Sequence, residues 1–204
     1  MRMTQYEMRQ MHRSVEPLLP IVRSRTQLDI LATTFLNPVS HTIGELAEQT
    51  STDRTSVLRE VNRLVDSRVL TKDRVSRAGL ISANWDLPWA AELQGILMKT
   101  VGPVSVLAAL FAGDPSIDEA YIFGSWAARY LGHDGPWPQD IDVLVVGDSL
   151  SSMAVRGALA DLDSQFGVEV NATFTTRSEG ADAEPGSFLA QLADGPLVVV
   201  KPLT

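Results

Sequence analysis

Apolar residues first recur at helical spacing in RTQLDILATTFLN, where Leu28, Ile30, Leu31 and Phe35 fall on one side and Asn37-Pro38 closes the run. The spacing predicts a helix from Arg25. Thr42-Ile43-Gly44-Glu45 has the Thr-x-x-Glu form in which the hydroxyl and the carboxylate each satisfy a free amide of a helix's first turn, so a short second helix is expected over Ile43 to Gln49. Ser51 is placed as the N-cap of a third, TDRTSVLREVNRLVDSRVL. At about 100° per residue this helix puts Val57, Leu58, Val61, Leu64 and Val65 on one side and Thr52, Thr55, Ser56, Arg59 and Arg63 on the other. Val69-Leu70-Thr71, the basic turn KDRVSRAG and Leu80-Ile81-Ser82-Ala83 read as a two-stranded hairpin.

Pro88 and Pro103 each stand at a plausible first helical position, opening PWAAELQGILMK and PVSVLAALFA. Beyond them Ala120 to Phe123 reads as a short buried strand, Trp126 to Leu131 as the start of a helix, Asp140 to Val146 as a strand and Ser152 to Phe166 as a helix. GVEVNATFTT then alternates strictly, with Val168, Val170, Ala172 and Phe174 on one face and Glu169, Asn171, Thr173 and Thr175 on the other. The order predicts an α/β (α+β) chain in two domains. A helical extension (1–24) precedes a winged helix-turn-helix (25–86), connecting helices (87–113) and a small mixed-sheet domain (114–204). Leu93, Ile96 and Leu97 either pack on the wing side or meet a second protomer, and pattern leaves both open.

Charge supports the division. The net charge of −8 arises unevenly: residues 1–100 hold 13 Lys and Arg against 11 acids, whereas 101–204 hold 4 against 14. Residues 51–80 alone carry seven basic and four acidic side chains. A short helix with hydroxyls and arginines on its free face fits the major groove while a basic wing follows the backbone. The DNA-contacting candidates are therefore Thr52, Thr55, Ser56, Arg59 and Arg63 on the helix and Lys72, Arg74 and Arg77 in the wing. Such a unit also serves as a protein-interaction module, and a solvated charged face is the plain alternative. A homodimer is expected, because winged helices usually read paired half-sites. The chain has no cysteine, which excludes disulfides and thiolate zinc sites. No stretch approaches the roughly 20 apolar residues that span a bilayer, and the N-terminus is polar, so a cytoplasmic location is expected.

Candidate chemistry lies in FGSWAARYLGHDGPWPQDIDVLVVG. Gly124-Ser125 falls at a strand-to-helix turn, where free amides and a hydroxyl suit a phosphate, although such a pair is more often a plain turn. Alternation along a strand sends Asp140 and Asp142 to one face, and a divalent cation such as Mg²⁺ would relieve their repulsion. Glu169 offers a third carboxylate from another strand, with an exposed edge glutamate as the alternative. Trp137 or His133, in the Gly-Pro-rich loop between, could cover a nucleotide or simply pack.

Residues 25–84 resemble the winged helix of ArsR-like and MarR-like bacterial regulators. Phe123-Gly124-Ser125, then Asp140-Ile141-Asp142, then a later acid resemble minimal nucleotidyltransferases of the DNA polymerase beta superfamily, over roughly residues 116–176. The two together, with GSWAARY, DIDVLVVG and EVN, resemble bacterial transcriptional regulators carrying a nucleotidyltransferase domain. The resemblance implies nucleotide binding by Gly124, Ser125 and Arg129, Mg²⁺ (or Mn²⁺) on Asp140, Asp142 and Glu169, and catalysis by these three acids. NMP would pass from an NTP, most readily ATP, to a protein or RNA hydroxyl. It equally allows a regulator that senses nucleotide or metal without turnover, or a member of a toxin-antitoxin pair. The chain departs from the family in having Trp126 and Ala128 where two arginines usually stand, a gap of 14 residues to Asp140, and Gln139 before it.

Overall fold

A computed structural model describes residues 22–75, 78–181 and 187–202, so the helical extension expected at the N-terminus lies outside the described residues up to residue 21. The described residues are α+β, with helices and two small sheets.

Helix α1 (Arg25–Leu36) starts at Ser24, whose hydroxyl accepts from the Gln27 amide at 3.1 Å, and buries Leu28, Ile30, Leu31 and Phe35. Helix α2 (Ile43–Gln49) has both halves of its capping box: the Glu45 amide donates to Thr42 Oγ1 at 3.2 Å and the Thr42 amide to Glu45 Oε2 at 2.7 Å. Helix α3 (Arg54–Asp66) begins later than its first cap-like residue suggests. Ser51 turns into the left-handed region (φ 48°), and Asp53 takes the cap, accepting from the Ser56 amide at 2.9 Å. Thr52 is thereby left in the turn, its hydroxyl donating to Thr50 O.

Strands β1 (Leu70–Val75) and β2 (Ala78–Ala83) form an antiparallel hairpin. His41 ties the hairpin to the helices through reciprocal backbone bonds with Ile81 of 2.8 and 2.7 Å, its ring buried beside Asn37 O. Burial pushes the imidazole pKa down, against smaller opposing effects of the Asn37 carbonyl and the Glu45 charge. A lowered folded pKa means stability that is complete above about pH 6.5, the unfolded value, and is lost as pH falls toward the folded one. Thermal melts should therefore drop between neutral and mildly acid pH, and His41→Asn should flatten that dependence while lowering stability at neutral pH.

Helix α4 (Ala90–Thr100) starts at Ala90 after Trp89, so Pro88 precedes the helix instead of opening it, whereas Pro103 is the first residue of α5 (Pro103–Phe111). By length and composition residues 90–111 could cross a bilayer. Leu97 instead joins the core of α1–α3 and the hairpin, and Met98, Val106, Leu107 and Phe111 join the core of the larger sheet.

That sheet has the order β5-β4-β3-β6. It is built from β3 (Glu119–Phe123), β4 (Asp140–Val146), β5 (Glu169–Thr175) and β6 (Leu197–Lys201). Only β4 and β5 run parallel, joined by α7 (Ser152–Phe166). One face, with Ala120, Ile122, Ile141, Val143 and Val145, packs under α5, α7 and the short α6 (Gly124–Tyr130). The other carries Phe123, Leu144 and Val146, against which Leu189 and Leu192 of α9 (Phe188–Asp194) pack; α8 (Arg177–Ala181) follows β5.

The two halves meet at the end of α1. Trp137 Nε1 donates to Leu36 O at 3.1 Å, and Asn37 Nδ2 to Gly167 O at 3.5 Å. Gly167 ends α7 at φ 68°, and a Cβ there would lie 2.1 Å from Asn37 Nδ2. Gly167→Ala adds left-handed strain and displaces Asn37, so it should lower unfolding free energy by about 2 kcal/mol in denaturant titration.

Candidate functional site

Two surfaces carry the residues singled out in the sequence. On α3, Val57, Val61 and Leu64 form the buried stripe, and Arg54, Thr55, Leu58, Arg59, Asn62 and Arg63 are exposed. Leu58 departs from expectation at 41% exposure, and Glu60 is the residue drawn inward. Its carboxylate is held by Arg23 at 2.6 Å and by Arg63 at 3.4 Å, so Arg63 leans on its own helix while half its side chain stays in solvent. Thr55 and Arg59 stand free on the outer face, Ser56 is half-buried, and Lys72 is exposed on β1. Arg77 and the side chain of Arg74 lie outside the described residues.

The second surface lies at one end of the larger sheet, where its interior strand β4 begins. Asp140 and Asp142 begin β4, both half-buried, and the sheet register sets Asn171 beside Asp142, Phe123 on its other side and Glu169 beside Asp140. Asn171 Nδ2 donates to Asp140 Oδ2 at 3.5 Å and also hydrogen-bonds Asp142. Burial first, and the Asp140 charge second, raise the Asp142 pKa, with the Asn171 bond partly offsetting them. Gly124 (φ 72°) brings bare backbone against this carboxylate, since a Cβ there would lie 3.0 Å from Asp142 Oδ2. Ser125 is exposed at the next position.

Among the described residues no three His, Cys, Asp or Glu side chains are grouped to hold a metal ion. The structure brings Asp140 and Asp142 together, and the sheet register sets Glu169, exposed at the start of β5, opposite Asp140 on the same face. Asn171, two residues further along the same strand face, lies opposite Asp142 and donates to Asp140. Arg129 is also engaged elsewhere: its Nη2 donates to Gly135 O and, at 3.3 Å, to Pro136 O, clamping the loop that leads to Trp137. Trp126 is buried in the core and stacks on Tyr130 at 5.6 Å, which explains a tryptophan where the resemblance led one to expect an arginine.

No protein-family model and no curated protein matches the chain. Among solved structures, wild-type ZitR of Lactococcus lactis in complex with DNA is 20% identical, with a TM-score of 0.35 over 52% of this chain and 77% of that one. A single-site mutant of ZitR is 22% identical, with a TM-score of 0.33 over 47% of this chain and 71% of that one. Likenesses at this level carry no conclusion about what the chain binds.

Chemically, the aspartate pair fits a divalent cation. Hard cations such as Mg²⁺ are commonly held by one or two carboxylates, with water and phosphate oxygens completing the shell. A pair in which burial and mutual repulsion already lift one pKa is the donor set that such an ion relieves.

Proposed function

We propose that the protein is a DNA-binding transcriptional regulator, a winged helix-turn-helix joined to a nucleotidyltransferase-like domain that takes up a nucleotide with Mg²⁺. The sidedness of α3 carries this reading. Its inner stripe is fully packed, and its outer face presents Thr55, Arg59, Asn62 and Arg63 beside a hairpin bearing Lys72. In a major groove these groups would meet base edges and phosphates. A homodimer belongs to the proposal: Trp89 and Ile96, 43% and 39% exposed, offer apolar surface at the start and middle of α4.

In the second domain Asp140 and Asp142 would hold Mg²⁺, with Gly124 and Ser125 facing the phosphates. The ion supplies the countercharge that a triphosphate needs in a domain with few basic residues. Asn171 donates to Asp140 and is neutral, so it does not take a proton from an acceptor hydroxyl at neutral pH. This neutral side chain opposite Asp142 is what favours nucleotide sensing, while Glu169 opposite Asp140 is the carboxylate that a transferase would use. A second reading, transfer of NMP from an NTP to a protein or RNA hydroxyl, is favoured by the aspartate pair on one strand face beside Gly124-Ser125. Incubation with labelled ATP, Mg²⁺ and cell lysate separates the two. Sensing requires a DNA gel shift that responds to Mg²⁺-ATP with no labelled product; label transfer by wild type that Asp140→Ala abolishes would establish the transferase instead.

A further inference from the structure

An exposed aromatic ring stands on the same sheet face as the aspartates, and neither the resemblance nor the sequence pattern assigns it a role. Phe188, the first residue of α9, is 52% exposed. Leu189 and Leu192 anchor its helix on the Phe123, Leu144 and Val146 cluster. The Phe188 ring meets Phe123 edge-on, with centroids 5.9 Å apart and planes at 76°. Phe123 in turn pairs with Asp142 across β3 and β4 and directly precedes Gly124. Across one level of the sheet the face therefore reads Asn171, Asp142, Phe123, Leu197, with Phe188 above the third of these.

Adjacent strands lie about 4.8 Å apart, so the ring is within the reach of a nucleotide whose phosphates lie at the aspartates. The edge contact with Phe123 fixes the ring, and about half of the residue stays in solvent. A flat nucleobase is the ligand whose shape matches an exposed ring beside a phosphate-and-cation site. We infer that Phe188 is the base-stacking residue of this site, binding a nucleobase whose triphosphate is held through Mg²⁺ by Asp140 and Asp142. The inference rests on the proposed nucleotide site and adds its second anchor, an aromatic contact that tolerates any base.

Calorimetric titration of the full chain with Mg²⁺-ATP and, separately, with Mg²⁺-tripolyphosphate, which lacks a base, tests it. Wild type should bind ATP the more tightly of the two. Phe188→Leu, which keeps an apolar group on Phe123, should weaken ATP binding about 10-fold, within the range of one lost base stack. It should leave tripolyphosphate unchanged, and Phe188→Trp should restore ATP binding. If Phe188→Leu binds ATP as wild type does, or weakens both ligands equally, stacking is overturned while the phosphate site stands. If wild type binds neither ligand, the nucleotide site itself is wrong and stacking falls with it.

Discussion

Asp142→Asn is expected to stabilise the metal-free protein and to erase its response to Mg²⁺ and nucleotide. Asp140 and Asp142 face the same way from alternate residues of β4, with burial and mutual repulsion both disfavouring the charge on Asp142. An amide of the same shape removes the repulsion at neutral pH. Because the pair is only half-buried, solvent screening keeps the gain small, about 0.5–1 kcal/mol, or about 2 °C in melting temperature for a chain of this size. The ligand effect is larger. A nucleotide at about 100 times its dissociation constant stabilises by about 2.7 kcal/mol, and this gain should vanish in the variant. Melts in EDTA and in saturating Mg²⁺-ATP measure both. A variant less stable than wild type in EDTA, or one that keeps its ligand shift, contradicts a cation held by this pair.

Arg59→Ala combined with Arg63→Ala should reduce DNA affinity by about 10²-fold or more, since each side chain stands where a phosphate or base contact is worth about 1–3 kcal/mol. Both are exposed on the outer face of α3, so the Val57, Val61 and Leu64 stripe is untouched and Glu60 keeps its 2.6 Å contact with Arg23. The salt dependence separates lost contacts from misfolding. Two fewer phosphate contacts make the slope of log affinity against log salt shallower by about 2, whereas a smaller folded fraction shifts the line without changing its slope. Fluorescence anisotropy at several salt concentrations reads both quantities. Arg63 gives up its contact with Glu60 on binding, so its single variant should cost less than Arg59→Ala.

Features written in neighbouring residues were legible in the sequence. The Thr42/Glu45 box, the bounds of α2 and α7 and the alternation of β5 each need only a few adjacent side chains. Features decided by distant partners were not. Leu58 looks like a core residue by hydrophobicity, but Arg23, 37 positions before Glu60, makes burial of that glutamate possible and turns Leu58 outward. Ser51 and Asp53 are equally good caps in isolation, and the left-handed turn at Ser51 chooses Asp53. Alternation put Glu169 and Asn171 on the correct face without giving the register, and the register places Glu169 beside Asp140 and Asn171 beside Asp142. Arg129 lies at a readable position, yet only the path of the following loop shows that its guanidinium holds Gly135 and Pro136 carbonyls. Phe188 gave no local signal, because its position over Phe123 depends on α9 crossing the sheet face.

The chain has no cysteine, so a single introduced thiol can report its own position against DNA. An iron-chelate cleavage reagent attached to Thr55→Cys, on the outer face of α3, tests the reading of DNA by this helix most directly. A labelled duplex from upstream of the protein's own coding sequence should be cut in a short window by this derivative. The same reagent on Leu131→Cys, exposed beyond α6 in the other half, should leave that window intact. Bound duplex that is uncut from position 55, or cut equally from position 131, would show that α3 is not the surface that meets DNA.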